Sequence, residues 1–295
     1  MTQFSGRNDL DVHNRLSRRS FIQIAGAATF GIAAASALGC APTTEMAGTG
    51  ESEAPAEEYD MVIVGAGGAG LSAAVTAAEQ GKRVALLEKL PMTGGTYALS
   101  HLETIALDEG TGEFYDAEEL FDYWMDQTEG ACNEGLMRKV TSQINDTLSW
   151  LEAMGCKMYT TGNTRPDAPA PIAFKSPSET GELASGAGGM ASSVMVERFE
   201  ELGGTLITEA VVQSLIADDG AIIGAVASVD GEQRSFMAPV TILAAGSFES
   251  GIGGEGNPVI DEYLPKLRGK NMYHVAQGYE GNTGDGIMMG REVGA

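Results

Sequence analysis

Positive charge is scarce in this sequence. Its 295 residues carry 18 Lys and Arg against 41 Asp and Glu, a formal net charge of −23. Binding the polyphosphate backbone of a nucleic acid needs clustered cations, so the balance argues against nucleic acid as a partner. The acid is spread along the chain rather than gathered in one tail, which reads as a strongly solvated surface. Cysteine is scarcer still: Cys40, Cys132 and Cys156 form no C-x-x-C, leaving a zinc site, a thioredoxin-type pair and an attached c-type haem unsupported. Cys132 and Cys156 could pair, but a buried free thiol is the preferred state. Long, strongly apolar runs are also missing. The stretch from Phe21 to Gly39 is about long enough to span a bilayer, yet Gln23 and its many Gly and Ala make it a poor hydrocarbon solute.

Glycine, by contrast, is abundant, with 40 residues, and Ala is enriched in the same stretches. Tight turns and close backbone approaches of that kind suit a nucleotide-binding α/β fold, although disorder can also raise glycine. The length and 43% hydrophobic residues permit one large domain or two small ones.

Residues 17–22 read Ser-Arg-Arg-Ser-Phe-Ile, with Arg18 and Arg19 adjacent ahead of the weakly apolar run. This resembles a twin-arginine (Tat) secretion signal, read by the export machinery. The alternative, a transmembrane anchor, is disfavoured by the composition of the run. Its end, Ala37-Leu38-Gly39-Cys40, resembles a lipobox with Ala37 where Leu is usual, so a lipidated Cys40 tethered to a membrane and an unmodified one both stay open. Residues 41–57 are polar and Pro-containing, as a tether or spacer requires. The expected organisation is a signal at 1–39, a linker at 40–57 and a cofactor domain at 58–295. The resemblance implies export to the periplasm or cell surface, and export by this route implies a protein folded around a cofactor.

Asp60 to Val64 reads as a buried parallel strand. It runs into Gly65-Ala66-Gly67-Gly68-Ala69-Gly70, a G-x-G-x-x-G, followed by a helix from Leu71 to Gln80 that Gly81 closes with a left-handed cap. Arg83 to Leu87 is the second strand, ending at Glu88. The glycine pattern alone is weak in a chain this rich in Gly. With a strand before, a helix after and an acid at the end of the next strand, it is a dinucleotide fingerprint. Gly65 permits the tight turn, Gly67 lets backbone approach a pyrophosphate, and Gly70 lets helix and strand pack. The helix start, with Ala69, offers N–H groups to phosphate, and Glu88 would accept the ribose hydroxyls. A solvated charge at a strand end is the bland alternative for Glu88.

The continuation Glu88-Lys89-Leu90-Pro91-Met92-Thr93-Gly94-Gly95-Thr96 resembles the E-K-x-x-x-x-G-G-[NT] stretch of FAD-dependent oxidoreductases related to fumarate reductases, urocanate reductases and ketosteroid dehydrogenases. There the paired glycines bring backbone alongside the ribityl and pyrophosphate. Thr147 to Gly155 matches the end of an amphipathic helix. Gly204 to Ala210 matches a strand whose end, Ala210 and Val211, touches adenine through its backbone. Val240 to Phe248, with Ala245 and Gly246, matches a strand and turn, and Asn282-Thr283-Gly284-Asp285-Gly286 matches N-T-G-D-G, whose Asp contacts the flavin side of FAD. These matches run in order over about residues 58–295. They imply an α/β, Rossmann-like FAD-binding domain, a parallel sheet with helices plus an added β-segment. An NAD-only dehydrogenase would not need the Gly94-Gly95 loop or the final G-D-G.

Two departures stand out. His101 and Leu102 occupy positions where the family carries a glycine pair against the flavin ring. His101 is thereby a weak catalytic candidate, and a surface residue on a loop that bends differently is the preferred reading. The family also continues into a capping domain with substrate-binding Arg and His residues, then a closing segment. Here the only histidines are His13, His101 and His274, and no Arg cluster is assignable to substrate. The expectation is therefore a chain lacking both segments, dependent on FAD for stability. The resemblance implies flavin-mediated reduction of an activated C=C bond, or the reverse dehydrogenation, on a small-molecule alkene acceptor. A separate cytochrome or flavoprotein would supply electrons. The alternative is a non-catalytic FAD-binding fragment or half of a split enzyme. From Lys157 to Gly189 the four prolines at 166, 169, 171 and 177 suggest a surface excursion.

Overall fold

Two short apolar runs, Met61–Val64 (β2) and Val84–Leu87 (β3), pair in parallel and form the centre of the molecule. Every residue of β3 is buried, and so are the last three of β2, the signature of a sheet covered on both faces. A computed structural model describes residues 56–100, 104–107, 114–156, 158–160, 170–174, 187–248, 258–267 and 281–295. The signal with Arg18 and Arg19, Cys40, and all three histidines, His101 included, lie outside the described residues.

In chain order, β1 (Glu57–Glu58) precedes β2. Then come helix α1 (Gly68–Glu79), β3, a helical turn α2 (Gly95–Ala98) and β4 (Thr104–Leu107). Helices α3 (Ala117–Gln127) and α4 (Glu134–Ala153) follow, then β5 (Met158–Thr160), β6 (Ala170–Phe174) and helix α5 (Ala187–Glu201). The chain continues through β7 (Thr205–Ile207), β8 (Val211–Asp218), β9 (Ala221–Val229), β10 (Glu232–Met237) and β11 (Thr241–Leu243). Helices α6 (Pro258–Tyr263) and α7 (Asp285–Glu292) close it.

The parallel sheet runs β11-β2-β3-β7, and a second sheet, β1-β10-β9-β8, is an antiparallel meander apart from the parallel β1–β10 pair. Side-chain alternation along each strand sorts the central residues between two layers. Ile63 and Leu86 join Leu71, Val75, Met195 and Phe199 beneath α1 and α5. Val62, Ala85 and Leu87 point the other way, onto Ala225, Ala227 and Phe236 of the meander. The result is helix, parallel sheet and meander in three layers, which is the expected added β-segment.

Several expected boundaries shift. Helix α1 begins at Gly68 rather than Leu71, because the extended Gly67 (φ −75°, ψ −177°) already serves as its N-cap. Gly81 does cap its far end with a left-handed φ of 73°. The expected strand from Gly204 to Ala210 shortens to β7, since Glu209 turns the chain at φ 54°. Within the stretch from Lys157 to Gly189, the described residues form β5 and β6, which join β4 in a three-stranded antiparallel sheet, and α5 starts at Ala187. Both Cys132 and Cys156 are free; Cys156 is buried, while Cys132 is only half-buried.

Candidate functional site

The carboxyl ends of β2, β3 and β11 converge with the amino ends of α1 and α7, the place where α/β sheets bind ligands. A cavity of about 370 Å³ opens there. One side is the glycine turn. Gly65 takes φ 99°, and a Cβ on it would lie 2.5 Å from the Ala244 carbonyl oxygen. Gly70 is pressed against the carbonyl oxygen of Gly65, so any side chain would have to displace the turn. Gly67 is different: a Cβ there would meet nothing nearer than Gly94 O at 3.9 Å. Protein packing therefore does not require glycine at Gly67.

Helix α1 presents bare backbone to that cavity. Its first intrahelical bond runs from Leu71 N–H to Gly67 O, its N-cap donates and accepts nothing through a side chain, and its first turn holds no acid. Gly68 and Ala69 line the wall with their N–H groups at the positive end of the helix dipole. A second glycine loop is hydrogen-bonded to the first through Gly94 N–H to Ala66 O at 2.8 Å. Gly94 and Gly95 are both left-handed (φ 98° and 53°). Thr96 and Tyr97 follow into the lining, and Tyr97 packs over Gly68. Burial pushes the Tyr97 phenol up to about 12, with the nearby Cys156 thiol adding to it.

Glu88 is a buried charged residue, 5% exposed, at the end of β3. Its carboxylate accepts Ala66 N–H at 2.8 Å and Leu90 N–H at 3.0 Å. One side chain thus fixes the glycine turn and the outgoing loop, and keeps further lone pairs for a ligand. Beyond the strand end, Glu88 N–H donates to Ile207 O and Ala210 N–H to Glu88 O, drawing Ala210 to the cavity wall. Opposite, the left-handed Gly284 (φ 84°) caps α7 and places Asp285 in its first turn. Lys89 Nζ donates to Thr283 Oγ1 and to Asp285 Oδ2, both at 2.7 Å, and the Thr283 hydroxyl donates to Asp285 Oδ1 at 2.7 Å. The Asn282 amide donates to Thr96 Oγ1 at 2.9 Å.

Ten residues singled out from sequence line this one cavity: Gly65, Gly67, Ala69, Glu88, Gly95, Thr96, Ala210, Ala245, Gly246 and Asp285. Gly70 and Gly94 stand behind the wall, where close packing requires them: a Cβ on Gly94 would lie 2.6 Å from the Ala98 Cβ and 2.8 Å from the Ser192 hydroxyl. Val211, expected to touch adenine through its backbone, begins β8 at 44% exposure and is absent from the cavity lining, whereas its neighbours Ala210 and Val212 are part of it. Sequence reasoning assigned no role to Lys89, Asn282 or Tyr97. The first two lie inside the quoted motifs, so their presence was visible and their pairing was not.

The residues fit a dinucleotide such as FAD. A diphosphate needs N–H donors without a competing acid, supplied by the start of α1. A ribose needs an oriented acceptor, supplied by Glu88. The backbone approach needs a glycine that packing alone does not require, supplied by Gly67.

Comparison with known proteins agrees with this geometry. The sequence matches the family described as FAD binding domain over residues 60–295. It is 25% identical over 257 residues to an NADH:fumarate oxidoreductase of Klebsiella pneumoniae, covering 83% of this chain and 26% of that protein. It is 26% identical over 253 residues to a probable fumarate reductase of Shewanella frigidimarina, covering 82% of this chain and 40% of that protein. Among solved structures, the 3-ketosteroid-Δ4-(5α)-dehydrogenase of Rhodococcus jostii superposes with a TM-score of 0.66 at 26% identity, over 81% of this chain and 54% of that one. The chain therefore spans about a quarter to a half of the length of these proteins.

Proposed function

Since this chain belongs to the FAD binding domain family over residues 60–295, we propose that it is the cofactor-holding part of an oxidoreductase acting on carbon–carbon bonds. Its acceptor would be a small molecule with an activated C=C bond, or the saturated partner in the reverse direction. A separate electron-donor protein would serve it. The observation that carries this reading is the cavity at the strand ends, where an uncapped helix start, a buried oriented carboxylate and an accessible glycine face one another. When bound, FAD supplies two-electron exchange with the substrate carbons.

The chain's own residues bind and orient. Backbone N–H groups of Gly68 and Ala69 receive the diphosphate, which suits a cavity where Lys89, the one lining cation among the described residues, is already engaged by Asp285. Glu88 receives the ribose hydroxyls of the adenosine half and disfavours a 2′-phosphate through like-charge repulsion. Ala210 and Val212 border the adenine, and Thr96, Gly246 and Asp285 border the flavin side. The relatives named above support the reaction class, each acting on its own substrate.

Purified and refolded with FAD, the chain is expected to retain a stoichiometric flavin and quench its fluorescence. It should transfer electrons from a reduced dye to enoates once the rest of the protein is supplied. Retention of NAD without FAD would overturn the cofactor assignment, and FAD binding with no electron transfer to any alkene would favour a non-catalytic flavin-binding unit. For the amino-terminal segment we propose Tat export, supported by Arg18 and Arg19 ahead of the weakly apolar run. Lys at both positions should keep the protein in the cytoplasm; unchanged export would refute it.

A further inference from the structure

The cavity is assembled from segments far apart in sequence, and one polar clasp joins two of them. Lys89 follows Glu88 directly at the end of β3, while Asp285 opens helix α7 and Thr283 precedes its N-cap. The ammonium of Lys89 reaches both, at 2.7 Å each. Thr283 closes the triangle by donating to the other carboxylate oxygen. A parallel link, from Asn282 to Thr96, ties the same loop to the second glycine turn. Each oxygen of Asp285 therefore has one partner among the described residues and keeps lone-pair capacity toward the cavity it lines.

Electrostatics gives the clasp a purpose beyond holding the fold. Two carboxylates, Glu88 and Asp285, line a cavity that the proposed function fills with an anionic diphosphate cofactor. Among the described residues, Glu88 is held by backbone N–H groups alone. Asp285 carries the only ion pair recorded among the described lining residues, and its partner is Lys89, with side chains 25% and 40% exposed. An Asp285 without Lys89 would be a rim carboxylate unmatched in charge and held by one hydroxyl.

We propose that Lys89 is a positioning residue of the cofactor site, which acts through Asp285 and Thr283 to fix the Asp285 carboxylate on the cavity wall for a cofactor hydroxyl. The inference rests on the FAD reading above. It assigns Lys89 no direct contact with the cofactor. The clasp also makes the two ends of the site interdependent, since β3 delivers Glu88 to one end and, through Lys89, orders the other.

The test is a double-mutant cycle on the full 295-residue chain, read as the dissociation constant for FAD by flavin fluorescence. Lys89→Met and Asp285→Asn should each weaken FAD binding about tenfold, the scale of one lost hydrogen bond to a charged group. The double variant should bind no worse than Asp285→Asn alone, and Lys89→Arg should recover most of the loss. The rise in melting temperature on adding FAD should shrink in Lys89→Met, a change that a purely structural clasp would not produce. Wild-type affinity in Lys89→Met would overturn the proposal, and so would a tenfold loss that persists undiminished in the Asp285→Asn background, which would mean that Lys89 meets the cofactor itself. A wild-type chain that binds no FAD would instead refute the cofactor reading, a separate and recognisable result.

Discussion

At Gly67 and Gly70 the same residue type answers two different demands. Gly70 has the Gly65 carbonyl against it, so Gly70→Ala should destabilise the chain itself by about 1–3 kcal/mol, as overpacking does. Gly67 has open space and an extended backbone, so Gly67→Ala should leave the ligand-free melting temperature nearly unchanged and weaken FAD binding. Thermal melts with and without FAD check both, and equal behaviour of the two variants would contradict the distinction. Glu88 combines the two demands. Removing its carboxylate in Glu88→Ala strands the buried Ala66 N–H and the half-buried Leu90 N–H, so stability should fall by about 1–3 kcal/mol even without cofactor. The glycine pattern and the acid were legible in the sequence, because backbone approach and strand-end chemistry are local requirements. That Glu88 also braces the glycine turn was not, since the bond joins segments that follow two different strands.

Between elements, the helix starts divide by function. Helices α3 and α4 close their own amino ends with Asp116, accepting from Glu118 N–H at 2.8 Å, and Asn133, accepting from Leu136 N–H at 2.9 Å. Helix α1 has no such cap and faces the cavity. Asn133→Ala should lower stability by about 1 kcal/mol and leave cofactor affinity unchanged, since α4 serves only the core. Behind α2, Cys156 packs among Leu148, Leu151 and Ala191, and burial raises its thiol from 9.0 to about 11. Because the folded state holds this proton more tightly than the unfolded chain, the associated stability is complete below about pH 9. It is lost as pH rises from 9 toward 11. Cys156→Ala should flatten the part of the alkaline melting profile that this thiol causes, leaving the contribution of Tyr97, whose phenol is raised to about 12, at higher pH. An unchanged profile between pH 9 and 11 would count against the burial of the thiol.

Across the whole molecule, three layers meet around one cavity, so cofactor binding and folding are linked. Any ligand that binds only the folded chain stabilises it, by about 2.7 kcal/mol at a hundredfold excess over its dissociation constant. The melting temperature should therefore rise with FAD concentration and should not respond to NAD. The order of the strand, glycine turn, helix and second strand could be read from the sequence alone, because each rests on contacts within a few residues: apolar runs for buried strands, glycine where φ is positive, an acid at a strand end. The sequence likewise carried the five motifs that place ten of the chosen residues on one cavity wall. Register and side were beyond it. Whether Val211 or Val212 faces the cavity depends on where β8 begins, and a shift of one residue reverses every side chain. The pairing of Lys89 with Asp285, and of Thr96 with Asn282, depends on how α7 docks beside β3. Contacts across nearly two hundred residues are set by the packing of layers, and no local pattern encodes them.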